Sequence, residues 1–212
     1  MQKLEETGRY NDLIDFLFGK KLHRAALEHL RRFGEKQPDE TQDEEGDTHT
    51  PPELLGPSRT IAYLQHLPPS EIDLILEFAS WPLRVAPELG MEIFLADTEN
   101  AETLPREKVL DFLVGIEDGK GKGKGRMLAV RYLEHVVGEL NDLTPELHQR
   151  LLVLYLEILM EGTEEDVEGI DGGREEVMRR FLDMLKGSEQ YSPAKMLDRL
   201  PRDGKYMLYC AV

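Results

Sequence analysis

Apolar residues recur at helical spacing along almost the whole chain, and this periodicity limits the possible folds more than any other feature. Within residues 126–140, for example, Ala129, Leu133, Val136 and Leu140 fall on one face of a helix. Runs that alternate apolar and polar residues, which are typical of strands, do not occur in the sequence. The chain is therefore predicted to be all-α.

Proline, glycine and capping residues predict where these helices begin and end. Gly34 ends the second helix, and Thr144 and Ser192, each followed by proline, are predicted N-cap residues. Pro82 should kink or end the helix that contains it. The predicted helices cover residues 9–19, 21–33, 57–67, 70–80, 126–140, 145–160, 174–186 and 193–200, and others begin at 87, 105 and 205.

Three segments interrupt the helical pattern. Residues 35–56 are rich in acids and proline, and their low apolar content predicts a disordered linker. Residues 117–125 form a lysine–glycine connector and residues 161–173 a second acidic loop, and both are predicted to be mobile. The expected organisation is a first helix pair at 1–34, the linker, and further helices over 57–212. Helical sequence close to both ends suggests a fragment of a longer chain.

One short phrase occurs three times, as "AALEHL" at 25–30, "AYLQHL" at 62–67 and "RYLEHV" at 131–136. It could mark a metal site, a catalytic device or one helix of a repeating unit. The separations between the copies are close to one and two lengths of a helical-hairpin repeat of about 34 residues. We therefore predict an α-solenoid of stacked antiparallel helix pairs, with irregular clathrin- or tetratricopeptide-like repeats. The side chains expected to pack between its helices are Leu27, Leu64, Leu133, Val136, Leu151 and Tyr155.

The sequence contains no recognisable catalytic, metal or cofactor motif. His29, His66 and His135 belong to different helices, and none has a second histidine or cysteine one helical turn away. The glycines of "GKGKGKGR" are too closely spaced for a phosphate-binding loop, and the acidic loops do not fit a calcium-binding loop. We expect no cofactor and no metal, and a protein that is not an enzyme.

Charge and cysteine content restrict the possible partners and the compartment. The formal net charge is −16, which argues against direct binding to nucleic acid or to anionic lipid. The single cysteine, Cys210, excludes an intrachain disulfide, and the longest apolar run, residues 151–160, is too short to cross a bilayer. These features, with no visible signal peptide, predict a soluble protein of a reducing compartment.

A basic cluster stands out against this acidic background, and it consists of Lys20, Lys21, Arg24 and Arg31. Two interpretations remain open for it. The four side chains form the solvated face of an amphipathic helix, or they bind an acidic partner protein.

Several long blocks, in a fixed order, resemble the vacuolar protein sorting-associated protein 39 family. The blocks are "TGRYNDLIDFLFGKKLHRAALEHLRRFG" (7–34), "GPSRTIAYLQHL" (56–67), "FASWPLRVAPELGMEIF" (78–94), "LPREKVLDFL" (104–113), "LAVRYLEHVVGELNDLTPELHQRLLVLYLE" (128–157) and "SEQYSPAKMLDRLP" (188–201). The resemblance covers nearly all the chain outside the acidic loops and the lysine–glycine connector. It is to the first half of the helical solenoid of that family.

The resemblance implies a scaffold role in membrane tethering. Members of the family are subunits of the HOPS tethering complex, and the matching CORVET subunit and the TGF-β receptor-associated proteins are relatives. The expected location is cytoplasmic, peripheral on vacuole, lysosome and late-endosome membranes. The expected partners are other tethering subunits and, through the full-length protein, a Rab GTPase of the late endosome. The family carries no catalytic motif, so no residue inherits an enzymatic role.

Overall fold

The computed structural model describes residues 9–36, 52–116, 123–162, 167 and 172–199, and within them all extended regular structure is helical. The described residues contain no strand, so the prediction of an all-α protein is confirmed. The α-helices are α1 (Tyr10–Gly19), α2 (His23–Gly34), α3 (Ser58–Gln65), α4 (Ile72–Val85), α5 (Pro87–Leu95), α6 (Glu99–Glu102), α7 (Arg106–Val114), α8 (Gly123–Glu134), α9 (Pro145–Glu161), α10 (Gly173–Gly187) and α11 (Pro193–Leu197). Short 3₁₀ turns occur at Pro52–Leu54 and Pro69–Glu71.

The chain divides into two compact units, one ending at Pro105 and one beginning at Arg106. In the first unit α1 packs on α2, α2 on α3, α4 on both α3 and α5, and α5 on α3 and α6. Helices that are close in sequence are therefore close in space, as expected for helices joined by short connections. This neighbour packing is compatible with the predicted solenoid, which remains a prediction.

Two glycines allow close approach between elements of the first unit. A Cβ at Gly34 would lie 2.5 Å from the Trp81 ring and 2.6 Å from the carbonyl oxygen of Gly56. A Cβ at Gly90 would lie 2.9 Å from the backbone of Leu83, across the contact of α5 with α4. These distances are far inside van der Waals contact, so a larger residue at either position would force the packed elements apart.

In the second unit α9 is the central helix. It packs against α8, α10 and α11, while α8 also packs against α7. Ten of its side chains are buried, and they lie around most of its circumference. This arrangement explains why the sequence of α9 is apolar on several sides, since a helix covered by three neighbours has little surface left for polar residues.

Four predictions about helix ends need correction. Pro82 does not end its helix, because α4 continues to Val85 and Pro82 is buried within it, while the alternative of a kink at Pro82 stays a prediction. The helix predicted over 126–140 is α-helical only to Glu134 and continues as a π-helix over His135–Glu139. Thr144 and Ser192 lie at N-cap positions, but neither side chain caps its helix. The physical reason at Thr144 is that its hydroxyl donates to Asp142 instead.

The predicted linker is shorter than the sequence suggested at its C-terminal side. Leu54 of the Pro52–Leu54 turn is fully buried, and this turn packs on α2 and α3. The amide of Gly56 also donates to the carbonyl of Gly34 at 3.1 Å. The apolar side chain of Leu54 gives the end of this segment a packed position despite the acidic residues before it. The rest of the predicted linker, residues 37–51, lies outside the described residues.

Other predictions also fall outside the described residues. They concern residues 117–122 of the lysine–glycine connector and most of the second acidic loop, of which only Val167 and the ends are described. The helix predicted to begin at 205 and the cysteine at 210 lie beyond the last described residue, Arg199. These predictions remain untested.

Candidate protein-interaction surface

The predicted basic cluster lies on the first unit, and all four of its members are exposed: Lys20, Lys21, Arg24 and Arg31. Two of them are engaged by carboxylates. Arg24 donates two hydrogen bonds of 2.6 Å to Glu77, and Arg31 donates one of 2.8 Å to Glu35. The bond from Arg24 holds the pKa of Glu77 below its ordinary value. The structure therefore splits the cluster, because only Lys20 and Lys21 have no acidic partner among the described residues.

Lys20 and Lys21 form the turn between α1 and α2. The ammonium group of Lys20 lies 5.9 Å from the ring centroid of Phe16, which is within reach of a cation–π contact. Lys21 has a φ of 56°, a left-handed conformation that is unfavourable for a side chain of this kind. The turn therefore presents two adjacent ammonium groups to solvent.

A groove of about 810 Å³ lies beside this turn, between it and the start of α4. Lys21 and His23 line one wall, Glu71 and Asp73 line the other, and the apolar side chains of Phe18 and Leu74 form what we call the floor. Its volume is within the range of small-ligand sites, but it is open along its length. The lining combines an apolar floor with one basic and one acidic wall, which suits a peptide better than a small molecule.

The apolar floor of the groove is held in place by its own contacts. Phe18 is 40% exposed, yet its ring packs edge-on against both His23 and Tyr63, with centroids 5.4 Å apart. The Tyr63 hydroxyl lies 2.9 Å from Nδ1 of His23. Burial raises the pKa of Tyr63 to about 12, so the phenol keeps its proton at neutral pH. Phe18 is thus an exposed aromatic side chain with little conformational freedom to lose on binding.

All three copies of the repeated phrase lie largely in helical segments that bury their leucines. Their leucines, Leu27, Leu64 and Leu133, are buried at 0–1% exposure. The other proposed packing residues, Val136, Leu151 and Tyr155, are also buried.

Two histidines of the phrase, His66 and His135, make contacts with residues four positions away. His66 bonds to the carbonyl of Ala62 in its own helix at 2.7 Å, and His135 lies 3.0 Å from Glu139. No group of three or more potential metal ligands occurs within the described part of the chain.

A polar cluster that the sequence did not reveal joins three parts of the second unit. Asp142, which precedes α9, accepts hydrogen bonds from the Thr144 hydroxyl at 2.6 Å, from the Thr144 amide at 3.1 Å and from Arg106 at 2.7 Å. These bonds hold the pKa of Asp142 below its ordinary value, the Thr144 hydroxyl contributing most. The cluster fixes the chain between α8 and α9 to the start of α7.

His148 extends this cluster to the end of α10. Its Nε2 lies 2.8 Å from the main-chain oxygen of Asp142, and its Nδ1 lies 2.7 Å from the Ser188 hydroxyl. A carbonyl can only accept, so Nε2 carries a proton, and in the neutral ring Nδ1 is then the acceptor for the Ser188 hydroxyl. A serine next to a histidine can form a nucleophile, but here a neutral carbonyl stands where a carboxylate would stabilise the imidazolium. His148 is 4% exposed, and we interpret the pair as a structural clamp.

A second group of bonds links α8, α9 and α10. The Tyr155 hydroxyl donates to Glu134 at 2.5 Å, and Arg180 donates to both oxygens of the same carboxylate at 3.1 Å. Arg180 also donates to Glu176 at 2.8 Å. Bonds from Arg179 first, and then from Arg180, lower the pKa of Glu176 to about 2. Tyr155 is buried and also donates a hydrogen bond that periodicity could not show.

Among the residues that the structure describes, no helix is both long enough and apolar enough to cross a bilayer. The fold and the surface together define an all-α protein whose helices pack on their sequence neighbours, with an exposed groove and a basic turn on its first unit.

Known proteins resemble the chain over most of its length. Residues 1–83 match the family model described as vacuolar sorting protein 39 domain 1. The mouse Vam6/Vps39-like protein is 32% identical over 95% of this chain, and the Drosophila melanogaster vacuolar protein sorting-associated protein 39 homolog is 34% identical over 93%. The vacuolar morphogenesis protein 6 of Schizosaccharomyces pombe is 26% identical over 93%. These similarities are to the vacuolar sorting protein 39 family, the family that the resemblance predicted.

The chain spans about a fifth of the length of these relatives: 22% of the mouse protein, 20% of the fly protein and 21% of the yeast protein. No solved structure matches it significantly.

Proposed function

We propose that this chain is a non-enzymatic scaffold segment of a membrane-tethering subunit that acts between late endosomes and the vacuole or lysosome. The observation that carries the proposal is similarity to vacuolar sorting proteins over 93–95% of the chain, which includes both compact units. Helices that pack on their sequence neighbours also suit a segment that connects and spaces other parts of a longer protein.

The proposal has specific partners and a location. The segment works within a tethering complex together with other subunits, and the complete protein engages a Rab GTPase of the late endosome. The chain is cytoplasmic and reaches the vacuole or lysosome membrane through these partners. A contribution to autophagy follows from membrane fusion at the same organelle. The buried leucines matter in this proposal because they keep the scaffold folded.

A domain exchange in S. pombe tests the scaffold role, because the relative there is named for vacuole morphology. The corresponding fifth of that protein is replaced by this chain in cells that lack the native gene. We expect the exchanged protein to restore vacuole morphology. The double variant Leu64→Ala/Leu133→Ala should fail, whereas His66→Ala/His135→Ala should succeed.

The result that would overturn the scaffold role is rescue by the leucine double variant when circular dichroism shows that its segment is unfolded. Failure of the histidine double variant with a folded segment would instead indicate a chemical role for the histidines. Deletion of the whole segment provides the baseline for both comparisons.

A second function is favoured by one observation, which is the pair of exposed lysines beside the groove in the first unit. We infer from it a protein-binding module that recruits an acidic partner. Arg24 and Arg31 contribute less to such binding than Lys20 and Lys21, because their charges are already paired with Glu77 and Glu35.

A further inference from the structure

We propose that the groove beside the α1–α2 turn docks a short segment of a partner protein in which an apolar side chain stands next to an acidic one. The inference rests on the protein-binding function proposed above and makes it specific. It assigns the apolar anchor to the floor formed by Phe18 and Leu74. It assigns the acidic residue to Lys21, which lines the groove, and to the adjacent, exposed Lys20.

The exposed aromatic ring is the first step of the argument. Phe18 contacts His23 and Tyr63 edge-on and still leaves 40% of its surface in solvent. An aromatic side chain that is both exposed and rigid is typical of the anchors that dominate binding energy at protein interfaces. Leu74, which is partly exposed, belongs to the same apolar floor.

The second step of the argument concerns the two positive charges of Lys20 and Lys21, which lie beside this floor. Lys20 and Lys21 are adjacent, exposed and without a carboxylate partner among the described residues. In a chain with 42 acids and 26 lysines and arginines, most cations can find an acid nearby, as Arg24 and Arg31 do. Two unneutralised charges next to an apolar floor are complementary to a segment that carries an acid beside its anchor.

The concave shape of the groove and its acidic wall both favour a peptide over a membrane surface as the partner. A lipid surface would meet a convex, uniformly basic face, whereas this site is concave and has Glu71 and Asp73 on its second wall. The net charge of −16 also opposes approach to an anionic bilayer. A short segment can place its acidic residue against the lysines and keep it away from Glu71 and Asp73.

A display experiment on the 212-residue chain tests the proposal. A phage-displayed library of random dodecapeptides is selected against the immobilised chain, and the enriched peptides are synthesised with a fluorescent label. We expect a shared pattern of one large apolar residue with Asp or Glu next to it. The charge-reversal variant Lys20→Glu/Lys21→Glu should weaken binding of these peptides about ten-fold or more.

The matched control is Lys186→Glu/Lys195→Glu, which makes the same change in net charge on exposed residues of the second unit. It should leave peptide affinity unchanged. Circular dichroism verifies that each variant is folded. The milder variant Lys20→Ala/Lys21→Ala should weaken binding in the same direction, and it keeps the test valid if charge reversal disturbs the turn.

Each other outcome overturns a stated part of the proposal. If the peptides bind wild type, Lys20→Glu/Lys21→Glu and Lys186→Glu/Lys195→Glu with equal affinity, the chain is still a binding module, but its binding site lies outside the groove. A library that yields no enriched peptide would overturn the binding module as well. The chain is also sedimented with vesicles of phosphatidylcholine and phosphatidylserine. If wild type and the control variant sediment with the vesicles but the Lys20→Glu/Lys21→Glu variant does not, the partner of this site is a membrane and not a peptide.

Discussion

At the scale of single residues, Lys21 has an unusual backbone conformation, which it shares with Asn141. Its φ of 56° places it in the left-handed region, which costs a residue with a side chain roughly 1–2 kcal/mol. Glycine adopts this conformation without that cost but has more freedom to lose on folding. We predict that Lys21→Gly raises the free energy of unfolding in urea by up to about 1 kcal/mol.

Lys20 supplies the matched control for this prediction, since its φ is −88° and Lys20→Gly removes the same charge. That variant should lower the free energy of unfolding by about 0.5–1 kcal/mol, the usual cost of glycine in an ordinary conformation. Equal losses in the two variants would show that Lys21 is not strained. A Lys21→Gly protein that is more stable but binds the selected peptides less well would link the strained turn to binding.

At the scale of helices, the leucines of the repeated phrase should matter more than its histidines. We predict that Leu64→Ala and Leu133→Ala each lower the free energy of unfolding by about 2–5 kcal/mol, because each removes a fully buried side chain. His66→Ala and His135→Ala should cost much less, since their bonds stay within one helical segment and are replaced by water. Thermal and urea unfolding of the four variants measures this difference.

Added zinc separates the packing interpretation from a metal interpretation. The melting temperature of wild type should not rise with zinc, because the described histidines of the phrase have no common ligand set. Histidine variants that are less stable than the leucine variants, or a zinc-dependent rise that His66→Ala abolishes, would contradict the packing interpretation.

The polar cluster before α9 predicts a pH dependence. Asp142 is stabilised as a carboxylate by Thr144 and Arg106, so its folded-state pKa lies below the ordinary value of 3.8. Its contribution is therefore complete above that ordinary value and is lost as the pH falls through the lower, folded-state pKa. Asp142→Asn should cost about 1.5–3 kcal/mol at pH 7, the range for hydrogen bonds to charged groups. The difference from wild type should shrink below about pH 4.

Asp183 offers a control for this pH dependence, since it also accepts a bond from an arginine, Arg179, but is largely exposed. Asp183→Asn should change stability far less than Asp142→Asn at pH 7. Urea unfolding of both variants between pH 3 and pH 7 makes the comparison. A difference between wild type and Asp142→Asn that stays constant with pH would show that the carboxylate charge contributes nothing.

Periodicity predicted most of the helices, because a buried stripe leaves a regular apolar pattern in the sequence. The beginning of α9 at Pro145 and its several buried faces were both predictable in this way. The π-helix at His135–Glu139 and the short helix α6 were not, since neither changes that pattern over enough residues. Thr144 shows the limit of capping rules, because a nearby Asp142 competes for its hydroxyl.

The candidate site was only half predictable. The four basic residues could be found as a cluster in the sequence, but their pairing could not, because Glu77 is 53 residues away from Arg24. The groove depends on Phe18 and on the start of α4, which come together only in the folded unit. A phenylalanine in an amphipathic helix is usually a core residue, so its exposure gave no signal in the sequence.

At the scale of the whole molecule, the first unit ends at different residues in the family model and in the structure. The family model stops at residue 83, inside α4, whereas the compact unit of the structure extends to Pro105. Between these points lies α5, which packs on α3 and α4 and buries Met91, Ile93 and Phe94. A chain cut at residue 83 would expose the surfaces of α3 and α4 that α5 covers.

We therefore predict that residues 1–105 fold on their own and that residues 1–83 do not keep a fixed core. The longer piece should unfold cooperatively, because a core of this size is sufficient for a domain of about 100 residues. The shorter piece should melt over a broad range and bind the dye ANS, which reports exposed apolar surface. Phe94→Ala in the longer piece should cost about 3–5 kcal/mol, since the ring is 1% exposed. Equal stability of the two pieces would show that α5 contributes nothing to the first unit, and the boundary at residue 83 would then be the physical one.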